Sequence, residues 1–335
     1  MYMRILIATG IYPPDIGGPA QYAFNVEKVW KNWGHRVTVK SFRFERALPT
    51  GLRHAMFFLK CIPSALRSDF IFALDTWSAA LPAVFLGWLF RKKIIIRAGG
   101  DFLWESYVER TGELVPWSKF YRSHPRFSFK EKLIFFLTKT ALRRASAVAF
   151  NSDWQRTGMI PVYGLNPDKT SVILNFFGDS LPSRLPSGKN FIWAARPIRL
   201  KNGSNLKKAF AQALAVDGAL TLDERVTSHE ELLNRLASCY AVILPSISEM
   251  SPNFILDALR FGKPFIMTRE TGLYELLKDI GLFVDPLSVP DISEKILMLA
   301  DAKTYALYQS KTQHFSFRHS WEEIAKEFLA LYKKL

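Results

Sequence analysis

The sequence has few cysteines and no long apolar run. Its two cysteines, Cys61 and Cys239, lie far apart and lack the spacing of metal ligands, which argues against a disulfide framework or a zinc site and favours a reducing cytoplasm. The longest apolar stretch, residues 79–90, is interrupted by proline and glycine and is well short of the ~20 residues of a spanning helix. The amino-terminal apolar run is too short for a secretory signal. We therefore expect a protein that is soluble or bound to a membrane surface.

Positive charge is present in excess and is concentrated in the first half. The 335 residues include 45 Lys+Arg and 30 Asp+Glu, a net charge of +15, and residues 1–160 hold 24 and 11 of these, a net charge of +13. Such a basic module can bind nucleic acid, an anionic lipid surface or a phosphorylated substrate. The alternative is an ordinary solvated basic surface.

Strand and helix patterns alternate along the whole chain, which predicts an α/β fold. Strands are predicted at residues 4–9, 37–41, 70–74, 93–98, 146–151 and 172–174, and then at 191–195, 241–245 and 264–268. Residues 181–188 are rich in Pro, Ser and Gly and are predicted to be a linker. We expect a first domain at 1–180, a second at 189–317, and a separate carboxyl-terminal segment at 318–335 that contains a helix.

Two loops that follow predicted strands have the composition of ligand-binding loops. The first contains Gly17 and Gly18 before a helix, where the backbone can approach an anion closely, although the dinucleotide pattern G-x-G-x-x-G is absent. The second contains Arg196, Arg199 and Lys201, whose charges suit a diphosphate. A tight turn and a solvated basic loop are the respective alternatives.

A third loop carries two acidic residues. Glu249 follows a strand, and Asp257 lies eight residues later on the next helix. Carboxylates accept hydrogen bonds from vicinal diols, and the backbone N–H groups at a helix start can bind an anion or hydroxyl groups. The pair therefore suits a sugar and a ribose. Taken singly, Glu249 could be a loop charge and Asp257 a surface helix residue.

This third loop resembles the Glu-x7-Glu signature of retaining nucleotide-sugar glycosyltransferases of family 4. Four other segments resemble that family in the same order along the chain: the amino-terminal strand with its glycine loop, residues 34–39, residues 147–152, and Arg196 with Lys201. The helix that begins at Trp321 resembles the family's last helix. The resemblance implies the GT-B fold, in which two Rossmann-like parallel-sheet domains face a cleft. Because only 20 residues separate Lys201 from Leu222, we expect a shortened donor domain, and the last helix is expected to pack on the first domain.

The resemblance also assigns roles. Glu249 would bind hydroxyl groups of the donor sugar, Asp257 the nucleotide ribose, and Arg196 with Lys201 the diphosphate. The remaining donor-binding positions it implies are Gly17, Gly18, Ser251, Pro252 and Asn253. Asp101 is the candidate for the position near the anomeric carbon, the alternative being the N-cap of a helix.

The implied reaction is a front-side displacement, which needs no protein nucleophile. The donor would be a nucleoside diphosphate sugar, UDP-sugar foremost, with no cofactor. No Asp-x-Asp pair occurs in the sequence, which disfavours a GT-A metal site and agrees with a metal-independent mechanism.

A basic and aromatic segment, residues 117–144, suits an anionic interface. Together with the resemblance to the family, this segment implies a lipid-linked or glycan acceptor. It also implies a cytoplasmic enzyme held peripherally on the inner face of the cell membrane. An amphipathic helix with a solvated basic face is the alternative for this segment. For the whole chain, a nucleic-acid-binding protein and an inactive sugar-nucleotide-binding scaffold are the competing hypotheses, but no nucleic-acid module is recognisable, so we expect no nucleic-acid partner.

Overall fold

A computed structural model describes residues 2–15 and 17–335 of the chain. Within these ranges the strands are β1 (Arg4–Thr9), β2 (Arg36–Ser41), β3 (Phe70–Ala73), β4 (Lys93–Ala98), β5 (Ala147–Phe150), β6 (Thr170–Val172), β7 (Lys189–Ile192), β8 (Leu220–Asp223), β9 (Ala241–Leu244), β10 (Phe265–Thr268) and β11 (Leu282–Val284). The helices are α1 (Gly18–Asn32), α2 (Thr50–Arg67), α3 (Ala80–Phe90), α4 (Phe102–Thr111), α5 (Trp117–Phe120), α6 (Phe129–Arg144), α7 (Asp153–Tyr163), α8 (Gly203–Val216), α9 (His229–Leu236), α10 (Asn253–Arg260), α11 (Tyr274–Leu277), α12 (Val289–Ala300), α13 (Ala302–Gln313) and α14 (Trp321–Lys333).

The strands form two parallel sheets. The first has the order β2-β1-β3-β4-β5-β6, and the second has the order β11-β10-β9-β7-β8. Central strands such as β3, β5 and β9 are buried along their whole length, as expected for a parallel sheet covered by helices on both faces. This explains why the sequence shows short continuous apolar runs rather than alternating ones. The predicted α/β class with two parallel sheets is confirmed.

Most predicted strands are present, with ends shifted by a few residues. The strand predicted at 172–174 is three residues long and begins at Thr170. Two strands that the sequence pattern did not indicate, β8 and β11, are four and three residues long. Helix α8 and strand β8 occupy the stretch between Lys201 and Leu222.

The chain divides into two compact units. Unit 1 contains residues Met1–Leu103, Arg126–Asn175 and His319–Leu335, and unit 2 contains Trp104–Pro125 and Phe176–Arg318. The segment Trp104–Pro125 therefore groups with unit 2, although it lies between two segments of unit 1. As a result, unit 2 is built from two separate stretches of chain.

The last helix, α14, completes the core of unit 1 by packing on α1. Its start is fixed by a capping box between Ser320 and Glu323, which satisfies two backbone N–H groups. The indole Nε1 of Trp30 donates to the carbonyl oxygen of Ala325 at 3.1 Å. The fully buried ring of Phe328 lies 4.5 Å from the ring of Phe72 on β3, centroid to centroid.

In the described part of the chain, no helix combines the length and the apolar character that crossing a membrane would require.

We predict that Phe328→Ala destabilises unit 1 by about 3–5 kcal/mol, because it removes a buried ring and leaves a cavity against β3. Denaturant unfolding followed by tryptophan fluorescence measures this loss. The control is Lys326→Ala, since Lys326 is exposed on the same helix and should change stability by no more than about 0.5 kcal/mol. Equal stability of the Phe328→Ala and Lys326→Ala proteins would show that α14 does not belong to the core.

Candidate active site

Lys201 lies in a 3₁₀ turn, Arg199–Lys201, between β7 and α8. The next residue, Asn202, is buried and has a left-handed backbone with φ of 58°. Its side-chain nitrogen Nδ2 donates to the carbonyl oxygens of Pro245 at 2.9 Å and Pro286 at 2.6 Å, just beyond the ends of β9 and β11. The turn is therefore bonded beyond the ends of β9 and β11, which flank β10 in the sheet, at the carboxyl edge where parallel sheets bind ligands.

Glu249 lies in the loop after β9, which is paired with the loop after β10. Its backbone N–H donates to Glu270 at 2.8 Å, and its carbonyl oxygen accepts from Gly272 at 2.9 Å. Its side chain is 11 % exposed and forms an ion pair with the Nζ atom of Lys201, whose side chain is 23 % exposed. The structure thus brings together two residues, 48 positions apart, that the sequence assigned to the diphosphate and the sugar.

Asp257, on α10, pairs with an imidazole and a guanidinium. Its Oδ2 atom lies 2.9 Å from Nε2 of His229, and its Oδ1 atom lies 3.5 Å from Nη1 of Arg260. The hydrogen bond with Asp257 raises the pKa of His229 above its ordinary value, against the opposing effect of desolvation. No sequence pattern singled out His229, and the structure shows that it contacts a candidate donor-binding carboxylate.

The start of α10 carries the other predicted donor-binding residues of this loop, Ser251, Pro252 and Asn253. Pro252 occupies the N-cap position and provides no side-chain cap. Arg196 is exposed after β7 and forms no ion pair within residues 2–15 and 17–335. The donor-binding roles of these residues remain predictions.

The predicted residues of unit 1 lie on two loops. A Cβ atom added at Gly17 would lie 2.8 Å from Cδ1 of Ile11, so a side chain there would require Ile11 to move; Gly18 begins α1. Asp101 is buried, directly precedes α4, and accepts a hydrogen bond from the phenol of Tyr163 at 3.4 Å. The role assigned to Asp101 near the anomeric carbon remains a prediction.

The glycine loop of unit 1 is also hydrogen-bonded to a 3₁₀ turn after β2, Phe44–Ala47. The guanidinium of Arg46 donates to Asp15 Oδ1 at 2.8 Å, and Tyr12 donates its backbone N–H to Asp15 at 3.2 Å. These hydrogen bonds lower the pKa of Asp15 to about 2, and the bond from Arg46 has the largest effect. Asp15 is therefore ionised at every ordinary pH and keeps the loop attached to Arg46.

The basic and aromatic segment at residues 117–144 is not one surface. It comprises α5, a short 3₁₀ turn and α6, and the rings of Trp117 and Phe120 are buried. Two of the aromatic residues in this segment therefore pack inside the protein and are not available to an anionic interface. Phe129 and Phe136 on α6 are exposed.

One contact to the Lys201 turn was not expected from the sequence. The carboxylate of Glu109, on α4, accepts hydrogen bonds from the backbone N–H groups of Arg199 at 3.2 Å and Leu200 at 3.0 Å. No local sequence signal indicates it, because the partners lie 90 residues apart along the chain.

Throughout residues 2–15 and 17–335, no three His, Cys, Asp or Glu side chains are grouped as metal ligands would be.

We predict that the contact between His229 and Asp257 stabilises unit 2 mainly at low pH. Because the folded-state pKa of His229 is raised, its contribution is complete below the unfolded pKa of about 6.5 and is lost as the pH rises through the folded value. His229→Ala should therefore lower Tm more at pH 6 than at pH 9. The loss in unfolding free energy should be at most about 1 kcal/mol, because the imidazole is more than half exposed.

The control is His314→Ala, since His314 is exposed and contacts the carbonyl oxygen of Ser310 rather than a carboxylate. Thermal unfolding at the two pH values measures both variants. A decrease in Tm for His229→Ala that becomes larger as the pH rises would contradict the pairing.

Residues 199–302, which include Lys201, Glu249 and Asp257, match the family model of group 1 glycosyl transferases. No protein of curated function matches the sequence.

Three solved structures share the fold of the whole chain. Alr3699/HepE from Anabaena, solved in complex with UDP-glucose, is 16% identical with a TM-score of 0.73, over 99% of this chain and 100% of that one. Sucrose-phosphate synthase from Thermosynechococcus elongatus is 14% identical with a TM-score of 0.69, over 98% of each chain. WaaG, a glycosyltransferase involved in lipopolysaccharide biosynthesis, is 10% identical with a TM-score of 0.65, over 97% of this chain and 98% of that one. The chain has the GT-B fold, and together with the matched segment this supports a GT-B glycosyltransferase.

Proposed function

We propose that the protein is a retaining glycosyltransferase of the family 4 type that transfers a sugar from a nucleoside diphosphate sugar, UDP-sugar foremost, to an acceptor. The observation that carries the proposal is the ion pair between Lys201 and Glu249 at the carboxyl edge of the second sheet. In such a donor the sugar and the diphosphate are joined through one oxygen. A cation for the phosphate and a carboxylate for the sugar hydroxyl groups must therefore be neighbours. The UDP-glucose bound to Alr3699/HepE supports this choice of donor.

The other donor contacts follow from the same arrangement. Asp257 would accept hydrogen bonds from the ribose hydroxyl groups, and Arg196 would add a second positive charge beside the diphosphate. The backbone at Ser251, Pro252 and Asn253, at the start of α10, would face the donor. Without donor, Lys201 neutralises Glu249, and donor binding would share the Lys201 ammonium between Glu249 and phosphate.

We assign a front-side displacement to the chemical step. The bond between the anomeric carbon and the β-phosphate oxygen breaks, and the acceptor oxygen forms its bond to that carbon from the same face. The departing phosphate oxygen takes the acceptor proton, so the step needs no protein nucleophile. Negative charge grows on this oxygen, and fixed cations such as Lys201 and Arg196 stabilise charge that develops in the transition state. With these cations in place, the proposed step uses no metal ion.

The acceptor would be lipid-linked or a growing glycan, and unit 1 would meet an anionic membrane from the cytoplasmic side. Support comes from two packed helices, α3 and α6. Helix α3 has no charged residue, exposes Trp88, and is followed by Arg91, Lys92 and Lys93. Helix α6 exposes Phe129 beside Lys130. Exposed aromatic side chains with adjacent cations are typical of membrane-surface contacts.

We predict that Lys201→Ala and Glu249→Ala each lower kcat/KM for sugar transfer by about 100-fold or more, because each removes a charged contact to the reacting donor. The measurement is turnover of UDP-, GDP- and ADP-sugars with product analysis by mass spectrometry, run in EDTA. The matched control is Lys207→Ala, since Lys207 is exposed on α8 and pairs with Glu224.

Near-wild-type rates for either site variant would remove that residue from the site. Activity that is lost in EDTA and restored by Mg²⁺ or Mn²⁺ would contradict the metal-free step. Inversion of the anomeric configuration in the product would contradict the retaining assignment.

We predict that the protein binds vesicles containing phosphatidylglycerol but not vesicles of phosphatidylcholine alone, and that high salt releases it. Each cation near an anionic surface contributes about 1 kcal/mol, and this attraction is screened within a Debye length. Trp88→Ser combined with Phe129→Ser should weaken sedimentation with the anionic vesicles, whereas Leu185→Ser, at a residue exposed on unit 2, should not. Equal binding to both vesicle types, or to neither, would favour a soluble acceptor.

A further inference from the structure

The turn that carries Lys201 is capped by a residue from a distant part of the chain. The N-cap position of the turn, Ile198, provides no side-chain hydrogen bond. Both carboxylate oxygens of Glu109 fill this role: Oε2 accepts from the N–H of Arg199 and Oε1 from the N–H of Leu200. Glu109 therefore holds the two residues that immediately precede Lys201.

The remaining contacts hold the turn at its middle and at its carboxyl-terminal end. The amino-terminal end is held by Glu109. The carbonyl oxygen of Leu200 accepts from the N–H of Ile247 at 2.9 Å, and the side chain of Asn202 fixes the carboxyl-terminal side. Without Glu109, the backbone of Arg199 and Leu200 would lose both acceptors while the far end of the turn stayed attached. The direction of the Lys201 side chain would then be set from one side only.

The segment that contains Glu109 also contacts the loop of Glu249. The backbone N–H of Trp117 donates to Oγ of Ser248 at 2.9 Å, one residue before Glu249. Gly112 lies under the guanidinium of Arg199 so closely that an added Cβ atom would be 2.3 Å from Nη1. The segment Trp104–Pro125 is thus bonded to both loops whose side chains form the ion pair.

We propose that Glu109 is a positioning residue for Lys201. This inference rests on the proposed function, in which Lys201 stabilises the charge that grows on the departing phosphate oxygen. An electrostatic contact of this kind depends on its geometry, and a shift of about 1 Å can cost about 100-fold in rate. Because the charge on this oxygen is larger in the transition state than in the bound donor, a displaced Lys201 lowers kcat more than it raises KM for the donor.

The test compares Glu109→Ala, Glu109→Gln and the control Glu113→Ala. Glu113 lies in the same segment, but its carboxylate accepts from the phenol of Tyr107 and not from the Lys201 turn. We expect Glu109→Ala to lower kcat by roughly 10- to 100-fold with a smaller change in KM. Glu109→Gln keeps one carbonyl acceptor and should lie between Glu109→Ala and the wild type. Glu113→Ala should stay near wild type.

A double variant separates positioning from a general loss of structure. If Glu109 acts through Lys201, Glu109→Ala combined with Lys201→Ala is no slower than Lys201→Ala alone, because the positioned group is already gone. Independent effects would instead multiply, and that result would overturn the inference, as would wild-type kcat in Glu109→Ala. If Lys201→Ala lowers kcat and Glu109→Ala does not, only this inference is overturned. If the wild-type protein turns over no nucleotide sugar, the proposed function itself is overturned.

Discussion

The ion pair between Lys201 and Glu249 is the contact on which the rest of the site depends. Both side chains are mostly buried, and removing one partner would leave the other charge poorly hydrated and unpaired. The surrounding loops keep the two groups together through backbone hydrogen bonds of Leu200 and Glu249 and the side chain of Asn202. A parallel sheet makes this possible because it places the loops after β7, β9 and β10 along the same edge.

The two candidate donor carboxylates share one feature. Each already has a cationic partner in the described structure: Glu249 has Lys201, and Asp257 has Arg260, joined by His229 when its imidazole is protonated. Under the proposed function, a sugar or ribose hydroxyl would hydrogen-bond to a carboxylate whose position is already set by its cation. Such preorganisation reduces the ordering that donor binding requires. Under the same proposal, Lys201 would also lie close to the diphosphate, where negative charge must be offset.

Much of the fold could be predicted because its signals are local. The strand predicted at residues 93–98 from its central isoleucines corresponds to β4, and the start predicted for the last helix, Trp321, agrees with α14. The three-residue strand β11 has no such signal, since a run that short does not distinguish strand from loop. Contacts that join distant segments were also missed, notably Glu109 with the Lys201 turn. Burial of Trp117 could not be seen in a composition that mixes basic and aromatic residues, because composition does not tell which rings pack inside.

The most direct test of the account is amide hydrogen–deuterium exchange with and without UDP-glucose, using UMP as the comparison ligand. The account predicts slower exchange in residues 198–202 and 246–253 with UDP-glucose. UMP, which lacks the β-phosphate and the sugar, should protect both segments much less. Equal protection by the two ligands, or unchanged exchange in both segments, would contradict the claim that the Lys201 and Glu249 pair binds the sugar and its diphosphate.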